Sequence, residues 1–333
     1  MGALACVTTG FEVTARHLEL IFLPLLLDLF LWLGPRLSVS PLLMAIKDLM
    51  SQLMTTDVAP PEATANYVQM IQLLEELGEG FNLFSFLNPG PLLGIPVLMP
   101  SRMSVLTPMG EQSVVEVASF FVVMAAVVVL AIVGLGLNAL YLRILGKSVI
   151  AETEAAIPGP RTTWVVWRQF VEFGIVLYVA LFIFSMAISL FATIVGLFSF
   201  FVAGLMMAAM LSIALFVTVH LLFTVPGMVQ LRRGLFRAMK ESLLLTRVDF
   251  VNVAFLLGLI LVISRGLNVV WTLPKPDSWA TFVGLGGHAF VSTALTAGLF
   301  IFYQERLRYL EAMKQIFAAQ QTKETPVPSA LGK

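Results

Sequence analysis

Three histidines, His17, His220 and His288, are the side chains of this sequence best suited to bind a metal ion or a haem. Two histidines share one haem iron only when they lie at the same depth on facing helices. Counted at ~1.5 Å per residue along the predicted helices, His220 and His288 differ in depth by about 20 Å. The sequence has no HExxH, CxxC or GxSxG motif and no Gly-rich phosphate loop. We therefore predict no metal site, no cofactor and no catalytic residue.

Asp28 lies in the middle of LELIFLPLLLDLFLWLGPRL, residues 18–37, which otherwise has the composition of a bilayer-spanning helix. A lone carboxylate near the bilayer centre is unfavourable by roughly 2.5–3.5 kcal/mol on insertion scales, so Asp28 needs a partner. By helical rise, Arg265 and His288 lie at a similar depth. We therefore predict an intramembrane polar cluster of Asp28, Arg265 and His288. This cluster would be a clasp between helices or a proton-linked or substrate-binding group. Alternatively, Asp28 lies at the outer water boundary, close to Trp32.

The chain as a whole has the composition of an integral membrane protein. Of its 333 residues, 59% are hydrophobic and 12% are charged, against about 25% charged in soluble domains. The net charge of zero gives no reason to expect a nucleic-acid partner. An all-α polytopic protein with six transmembrane helices is predicted. Stretches long enough to cross a core of ~30 Å lie at 18–37, 115–141, 169–192, 197–223, 250–271 and 279–302.

The basic residues are distributed unequally between the two sides of this predicted bundle. Fifteen of the 20 Lys and Arg residues lie on the side that contains both termini. Such an excess marks the cytoplasmic side of a membrane protein. We therefore expect a multi-pass protein of the bacterial plasma membrane with both termini in the cytoplasm.

The predicted spans divide the chain into four regions. These are an inner segment with the first span (1–37), an acidic extracytoplasmic cap (38–113), a five-span bundle (114–302), and a cytoplasmic helix with a disordered tail (303–333, disordered from 322). In the cap, amphipathic helices at 41–54 and 64–77 precede NPGPLLGIPVLMPSRM (88–103), whose prolines exclude a regular helix. These pieces are too small for a core of their own. The cap is therefore packed on the bundle, a mobile lid over a cavity, or a surface for a partner.

Residues 229–247, VQLRRGLFRAMKESLLLTR, alternate between apolar and basic side chains. This pattern is typical of a helix lying in the inner membrane interface, where each base near anionic lipid contributes about 1 kcal/mol. The alternative is a cytoplasmic helix that docks on its own bundle. The bases of this lipid-interface helix are Arg232, Arg233, Arg237 and Lys240.

Several glycines fall inside predicted spans, among them Gly134, Gly136 and those of GLGGH (284–288). Small residues within spans commonly allow helices to approach closely. We therefore interpret them as packing positions and not as a phosphate-binding loop. The predicted turn between the third and fourth spans lies at 193–196.

The stretch GLFRAMKESLLLTRVDFVNVAFLLGLILV, residues 234–262, joins a basic amphipathic helix to a polar turn and a span. It resembles the repeated unit of a broad group of uncharacterised bacterial membrane proteins, which includes the membrane domain attached to some glycerophosphodiester phosphodiesterases. The rest of the chain resembles that group only in its layout. The resemblance implies a multi-helix membrane domain without a known active site. No catalysis follows from it, because the acidic metal-binding residues of the phosphodiesterase domain have no counterpart in this sequence.

Three classes of function agree with these features. The first is a structural or accessory membrane protein that acts through protein partners in the membrane, which the lack of catalytic motifs favours. The alternative is a protein that binds or transports a lipophilic small molecule or lipid beneath the cap; a cavity with a polar lining would support it. The third is an enzyme acting on lipids, for which the acidic cap offers carboxylates without metal-ligand spacing. Membrane lipids are expected partners in every case.

Overall fold

The computed structural model of the chain describes residues 2–54, 61–90, 92–102, 106–155, 157–196 and 199–324. Most of these residues are helical. The α-helices are α1 (Ala3–Arg16), α2 (Phe22–Leu33), α3 (Ser40–Met54), α4 (Pro61–Gly80), α5 (Phe120–Glu152), α6 (Thr163–Gly196), α7 (Phe200–Leu221), α8 (Thr224–Leu231), α9 (Leu235–Val248), α10 (Phe250–Trp271) and α11 (Ala280–Glu324).

Short 3₁₀ turns and strands connect some of these helices. The 3₁₀ turns are Leu18–Ile21, Leu83–Leu87 and Met99–Ser101. The strands are β1 (Arg36–Ser38), β2 (Leu106–Thr107), β3 (Gly110–Glu111) and β4 (Val114–Glu116). β1 pairs in parallel with β4, and β2 pairs antiparallel with β3. Because each strand has only two or three residues, the fold is all-α.

Within the described residues, five helical stretches are long and apolar enough to cross a membrane. They are Phe120–Glu152, Thr163–Gly196, Phe201–Leu231, Phe250–Trp271 and Ala280–Leu310. They coincide with the second to sixth predicted spans, and the chain is a multi-pass membrane protein. The turn predicted at 193–196 lies slightly later in the chain, because those residues are still helical and α6 ends at Gly196. The Ser199 hydroxyl then accepts a hydrogen bond from the amide of Val202 at the start of α7. Residues 197 and 198 lie outside the described residues.

The first predicted span, residues 18–37, is not one helix. It consists of a 3₁₀ turn, the 12-residue helix α2 and the strand β1. At 1.5 Å per residue α2 is about 18 Å long, shorter than a hydrocarbon core of ~30 Å. The helical part of this predicted span ends at Leu33, and His17, whose φ of −124° and ψ of 65° end α1, separates it from α1.

The N-terminal helices nevertheless lie along α11. The backbones of Gly10 and Gly298 are so close that a Cβ on Gly10 would come within 2.6 Å of the Gly298 nitrogen. Farther along the chain, the Trp32 indole donates a hydrogen bond of 2.9 Å to the carbonyl of Pro276, just before α11 begins. Residues 10–32 therefore follow α11 from Gly298 back to its start as an interrupted helix.

The cap segment, residues 38–113, contains the two predicted amphipathic helices as α3 and α4. An ion pair between Lys47 and Glu75 joins them. The Pro-rich stretch that follows does not lie on the surface. Leu93, Ile95 and Leu98 are at most 1% exposed and belong to the same hydrophobic core as the spanning helices.

The predicted basic helix 229–247 is divided in two, which corrects that prediction. Residues up to Leu231 belong to α8, all of whose residues are buried in the bundle. Arg232 then takes a left-handed conformation with φ 54°, and Gly234 is extended, so a new helix, α9, begins at Leu235. One face of α9 is buried through Leu235, Ala238, Ser242, Leu245 and Thr246, so α9 docks on its own bundle.

The C-terminal pattern correctly predicts that the last span continues as a helix. α11 is unbroken from Ala280 to Glu324. The predicted disordered tail, 322–333, is wrong at its first three residues, which are helical. Residues 325–333 lie outside the described residues.

Candidate functional site

Asp28 is fully buried in α2, and its carboxylate accepts hydrogen bonds from two backbone amides. The amide of Leu98 lies 2.8 Å from Oδ1 and 3.0 Å from Oδ2. The amide of Met99 donates to Oδ1 at 2.8 Å. Asp28 therefore attaches the end of the Pro-rich stretch to α2.

We call residues 88–102 the inserted segment; Pro91 within it lies outside the described residues. Side chains of α6 and α5 bind two of its backbone carbonyls, and its own Arg102 side chain binds two carbonyls that follow α10. Tyr178 donates to the carbonyl of Pro89, Asn138 Nδ2 donates to Leu93 at 2.8 Å, and Arg102 Nη2 donates to the carbonyls of Thr272 and Pro274. Burial lowers the pKa of the Arg102 guanidinium, as expected for a cation removed from water.

Gly134 lets the chain come close to α5 immediately before the inserted segment. A Cβ at Gly134 would lie 2.2 Å from the carbonyl oxygen of Leu87 and 2.9 Å from its Cα. Such contacts are far inside van der Waals distance. Gly134 was interpreted as a helix-packing position, but the backbone it accommodates belongs to a 3₁₀ turn. By contrast, nothing closer than 3.5 Å would meet a Cβ at Gly136.

A cavity of about 570 Å³ lies between the inserted segment and helices α5, α8, α10 and α11. We call it the main cavity. Its volume is within the range of ~300–1,000 Å³ typical of small-molecule sites. Most of its wall is apolar, formed by Leu92, Ile95, Pro96, Val97, Leu142, Leu222, Val225, Pro226, Leu257, Ile260, Leu295, Leu299 and Phe300.

Polar side chains line one strip of this cavity along α11. His288, Ser292 and Thr296 are spaced four residues apart, so they share one helix face. The Ser292 hydroxyl lies 3.3 Å from His288 Nε2. Ser264 contributes another hydroxyl from α10. From His288 to Phe300 the cavity follows about 18 Å of α11 at helical rise.

The main cavity also contains a buried acceptor without a donor. The side-chain oxygen of Asn88 is inaccessible to water and has no hydrogen-bond partner in the described part of the chain. Buried polar atoms normally have partners, so such an exception requires an explanation. No Asp, Glu, Lys or Arg occurs among the described residues that line this cavity.

The predicted polar cluster of Asp28, Arg265 and His288 does not form. Asp28 bonds backbone amides, Arg265 is exposed on α10, and His288 lies in the main cavity. The pairing of Asp28 with Arg265 or His288 is therefore wrong. A carboxylate accepts hydrogen bonds from backbone amides as readily as from side-chain donors, and the sequence does not show which amide lies beside it.

The four bases assigned to the lipid interface differ in their surroundings. Arg233 and Arg237 both bind Glu241, at 3.2 and 3.1 Å. Arg232 donates to the carbonyl of Gly159 at 3.1 Å. Arg237 and Lys240 are exposed on α9, so they remain available to lipid headgroups.

Asn138 and Asn88 are site residues that sequence reasoning missed. An asparagine within a 33-residue apolar helix was a usable signal, because polar side chains in spans normally face a partner. Asn88 had no such signal, because nothing in the Pro-rich stretch that it begins shows which of its side chains face the bundle.

No protein-family model matches this chain, and no curated protein or solved structure matches it either. The resemblance of residues 234–262 to the phosphodiesterase-associated membrane domain therefore stays a prediction. Within the described residues, no group of three or more His, Cys, Asp or Glu side chains is placed to hold a metal ion.

Proposed function

We propose that this protein binds a neutral amphiphile in the main cavity, a molecule with an apolar body and an uncharged hydrogen-bonding head. The observation that carries the proposal is the cavity of about 570 Å³, with apolar walls and a polar strip on one side. The apolar walls favour a hydrocarbon body. His288, Ser292 and Ser264 offer hydrogen bonds to a head group.

The absence of charged side chains from the described lining selects against an ionic ligand. Removing an ion from water without a partner is strongly unfavourable. An alcohol or an ester keeps its hydrogen bonds in such a site without this penalty. A monoacylglycerol or a fatty alcohol therefore fits the lining better than a fatty acid anion or an alkylammonium ion.

In this proposal the inserted segment closes the cavity on the side of the cap. Its backbone is irregular, and irregular backbone is tolerated inside a membrane protein only where protein or a cavity surrounds it. Asp28 and Asn138 hold the backbone on either side of Ile95, Pro96 and Val97, which line the cavity. These bonds support a fixed wall in preference to a mobile lid.

We further infer that the N-terminal helices provide a sixth crossing. Residues 10–32 accompany α11 from Gly298 to its start at Ala280, which is about 27 Å at helical rise. With six crossings both termini lie on one side, and the excess of Lys and Arg there supports the cytoplasm of a bacterial plasma membrane. The cap would then face outward.

Photocrosslinking tests the ligand proposal on the full chain in phosphatidylcholine nanodiscs. The probe is a monoacylglycerol with a diazirine in its acyl chain, and adducts are located by peptide mass spectrometry. We expect adducts on the lining residues of α10 and α11. The variant Ser292→Trp should remove them by filling the cavity, whereas Val283→Trp, on the same helix at a residue 69% exposed, should not.

A fatty acid with a diazirine in its chain, used at a pH where its carboxyl group is ionised, tests whether the cavity prefers an uncharged head group. It should label the cavity less than the monoacylglycerol does. Labelling restricted to lipid-facing residues such as Val283, or cavity labelling unaffected by Ser292→Trp, would overturn the proposal.

An accessory role through protein partners and an enzymatic role on lipids both stay predictions. Each has its own test. An accessory protein should copurify with a partner in mild detergent, and purification without any stable partner would contradict that role. An enzyme should convert the bound amphiphile, which mass spectrometry of the recovered probe would detect.

A further inference from the structure

A second cavity, of about 370 Å³, lies where the C-terminal end of α8 meets the later part of α11. It shares no lining residue with the main cavity. Its wall is more polar, and two glutamines from different helices take part in it. Its lining includes Gln230, Gln304, Arg233, Arg308, Leu231 and Leu307.

The glutamine side chains of this cavity have unused hydrogen-bonding groups. Gln230 is fully buried, and neither its Nε2 nor its Oε1 has a partner in the described part of the chain. Gln304 is 4% exposed; its Oε1 accepts the hydroxyl of Thr153 at 2.9 Å, but its Nε2 is also without a partner among the described residues. Three unpaired buried atoms at one cavity are costly unless a ligand satisfies them.

The charges around this cavity favour an anion. Arg233 and Arg237 share the single carboxylate of Glu241, so this group retains one positive charge. Arg308 of α11 also lines the cavity and pairs with Glu305 at 3.2 Å. Guanidinium groups match the geometry of oxyanions and are the usual side chains for binding phosphate.

We propose that the second cavity binds a phosphate group that carries or adjoins a hydroxyl donor. The two Nε2 groups and the guanidiniums donate to the phosphate oxygens. Gln230 Oε1 accepts the hydroxyl, which is the P–OH of inorganic phosphate or an alcohol next to a phosphodiester. Leu231 and Leu307 provide an apolar wall beside the polar groups.

Two sources share this chemistry, namely free phosphate and the headgroup of phosphatidylglycerol. Isothermal titration tests the first source with the full chain in phosphatidylcholine nanodiscs, comparing sodium phosphate with sodium sulfate at equal ionic strength and neutral pH. Sulfate has no hydroxyl under these conditions. We expect phosphate to bind at least about tenfold more tightly, the usual effect of one good hydrogen bond to a charged ligand.

Native mass spectrometry tests the second source. Nanodiscs contain either phosphatidylglycerol or phosphatidylmethanol, which is an anionic phosphodiester without a hydroxyl. Retention of phosphatidylglycerol alone identifies a lipid headgroup as the ligand. Binding of inorganic phosphate without selective lipid retention identifies a soluble phosphate.

Variants locate the site. Gln230→Leu and Gln304→Leu should each weaken binding by about tenfold or more, and Gln230→Leu should also abolish the preference for phosphate over sulfate. Arg308→Gln changes a residue at the exposed rim and keeps the test valid if a core variant fails to fold. Arg168→Gln, an exposed arginine paired with Glu172 outside the cavity, should leave binding unchanged.

The proposal is overturned if neither phosphate nor phosphatidylglycerol binds, which would mean that water alone solvates these amides. It is also overturned if binding occurs but Gln230→Leu and Arg308→Gln leave it unchanged. Because the main cavity has separate residues, Ser292→Trp should not alter phosphate binding. Failure of one proposal is therefore distinguishable from failure of the other.

Discussion

Both carboxylate oxygens of Asp28 lie within hydrogen-bond distance of the backbone amide of Leu98, at 2.8 and 3.0 Å. The two residues are 70 positions apart in the chain. Their contact attaches the inserted segment to an N-terminal helix and so supports the wall of the main cavity. The buried carboxylate is thus explained by the backbone that it holds.

Removing this carboxylate should destabilise the protein. Asp28→Ala removes the carboxylate that accepts hydrogen bonds from the amides of Leu98 and Met99, and we expect the free energy of unfolding to fall by about 2–4 kcal/mol. Denaturation in mixed micelles of detergent and dodecyl sulfate measures this change. Asp28→Asn, which keeps one acceptor oxygen, should lose less. Glu12→Ala, at an exposed acid of α1, is the control; equal effects of Asp28→Ala and Glu12→Ala would contradict the role of Asp28.

A side chain at Gly134 should displace the turn that precedes the inserted segment. In Gly134→Ala the new methyl group meets the backbone of Leu87, and overpacking of this kind typically costs about 1–3 kcal/mol. Gly258→Ala is the matched control, because a Cβ there meets nothing within 4 Å and helix propensity favours alanine by up to ~1 kcal/mol. The same unfolding assay compares the two variants, and a neutral or stabilising Gly134→Ala would contradict the close packing.

Ser242 should stabilise the junction between α7 and α8. Its hydroxyl accepts a hydrogen bond from the amide of Phe223 at 3.1 Å and donates one to the carbonyl of His220 at 2.6 Å. We expect Ser242→Ala to lower the free energy of unfolding by about 1–3 kcal/mol, because a buried amide loses its acceptor. Ser212→Ala, at an exposed serine of α7 bonded within its own helix, should change it little. Equal stability of both variants would show that the junction does not depend on Ser242.

The exposed face of α9 should contact anionic lipid. Phe236 is 68% exposed, and Arg237 and Lys240 are exposed beside it. Each base near an anionic membrane contributes about 1 kcal/mol. The unmodified protein should therefore have a higher free energy of unfolding in phosphatidylglycerol nanodiscs than in phosphatidylcholine nanodiscs. In the double variant Arg237→Glu with Lys240→Glu, this difference should be smaller by at least about 2 kcal/mol. A double variant as lipid-sensitive as the unmodified protein would contradict the contact.

The spanning helices were predictable because hydropathy is a property of about 20 consecutive residues and needs no knowledge of neighbours. The fifth predicted span, 250–271, coincides with α10 (Phe250–Trp271), whereas residues 193–196, where a turn was predicted, are the last helical residues of α6. The amphipathic helices of the cap were predictable from their periodicity for the same reason. The division of 229–247 was not, because the left-handed conformation of Arg232 has no sequence signal of its own.

The sequence by itself determined that this is a multi-pass helical membrane protein and that Asp28 requires a partner inside it. Only the tertiary structure decided which partner that is, because every residue except proline has an amide and the sequence cannot single out Leu98 and Met99. The tertiary structure alone also decided that a Pro-rich stretch inserts between helices and borders a cavity. A cavity is the space left by side chains from distant parts of the chain, so no local pattern encodes it.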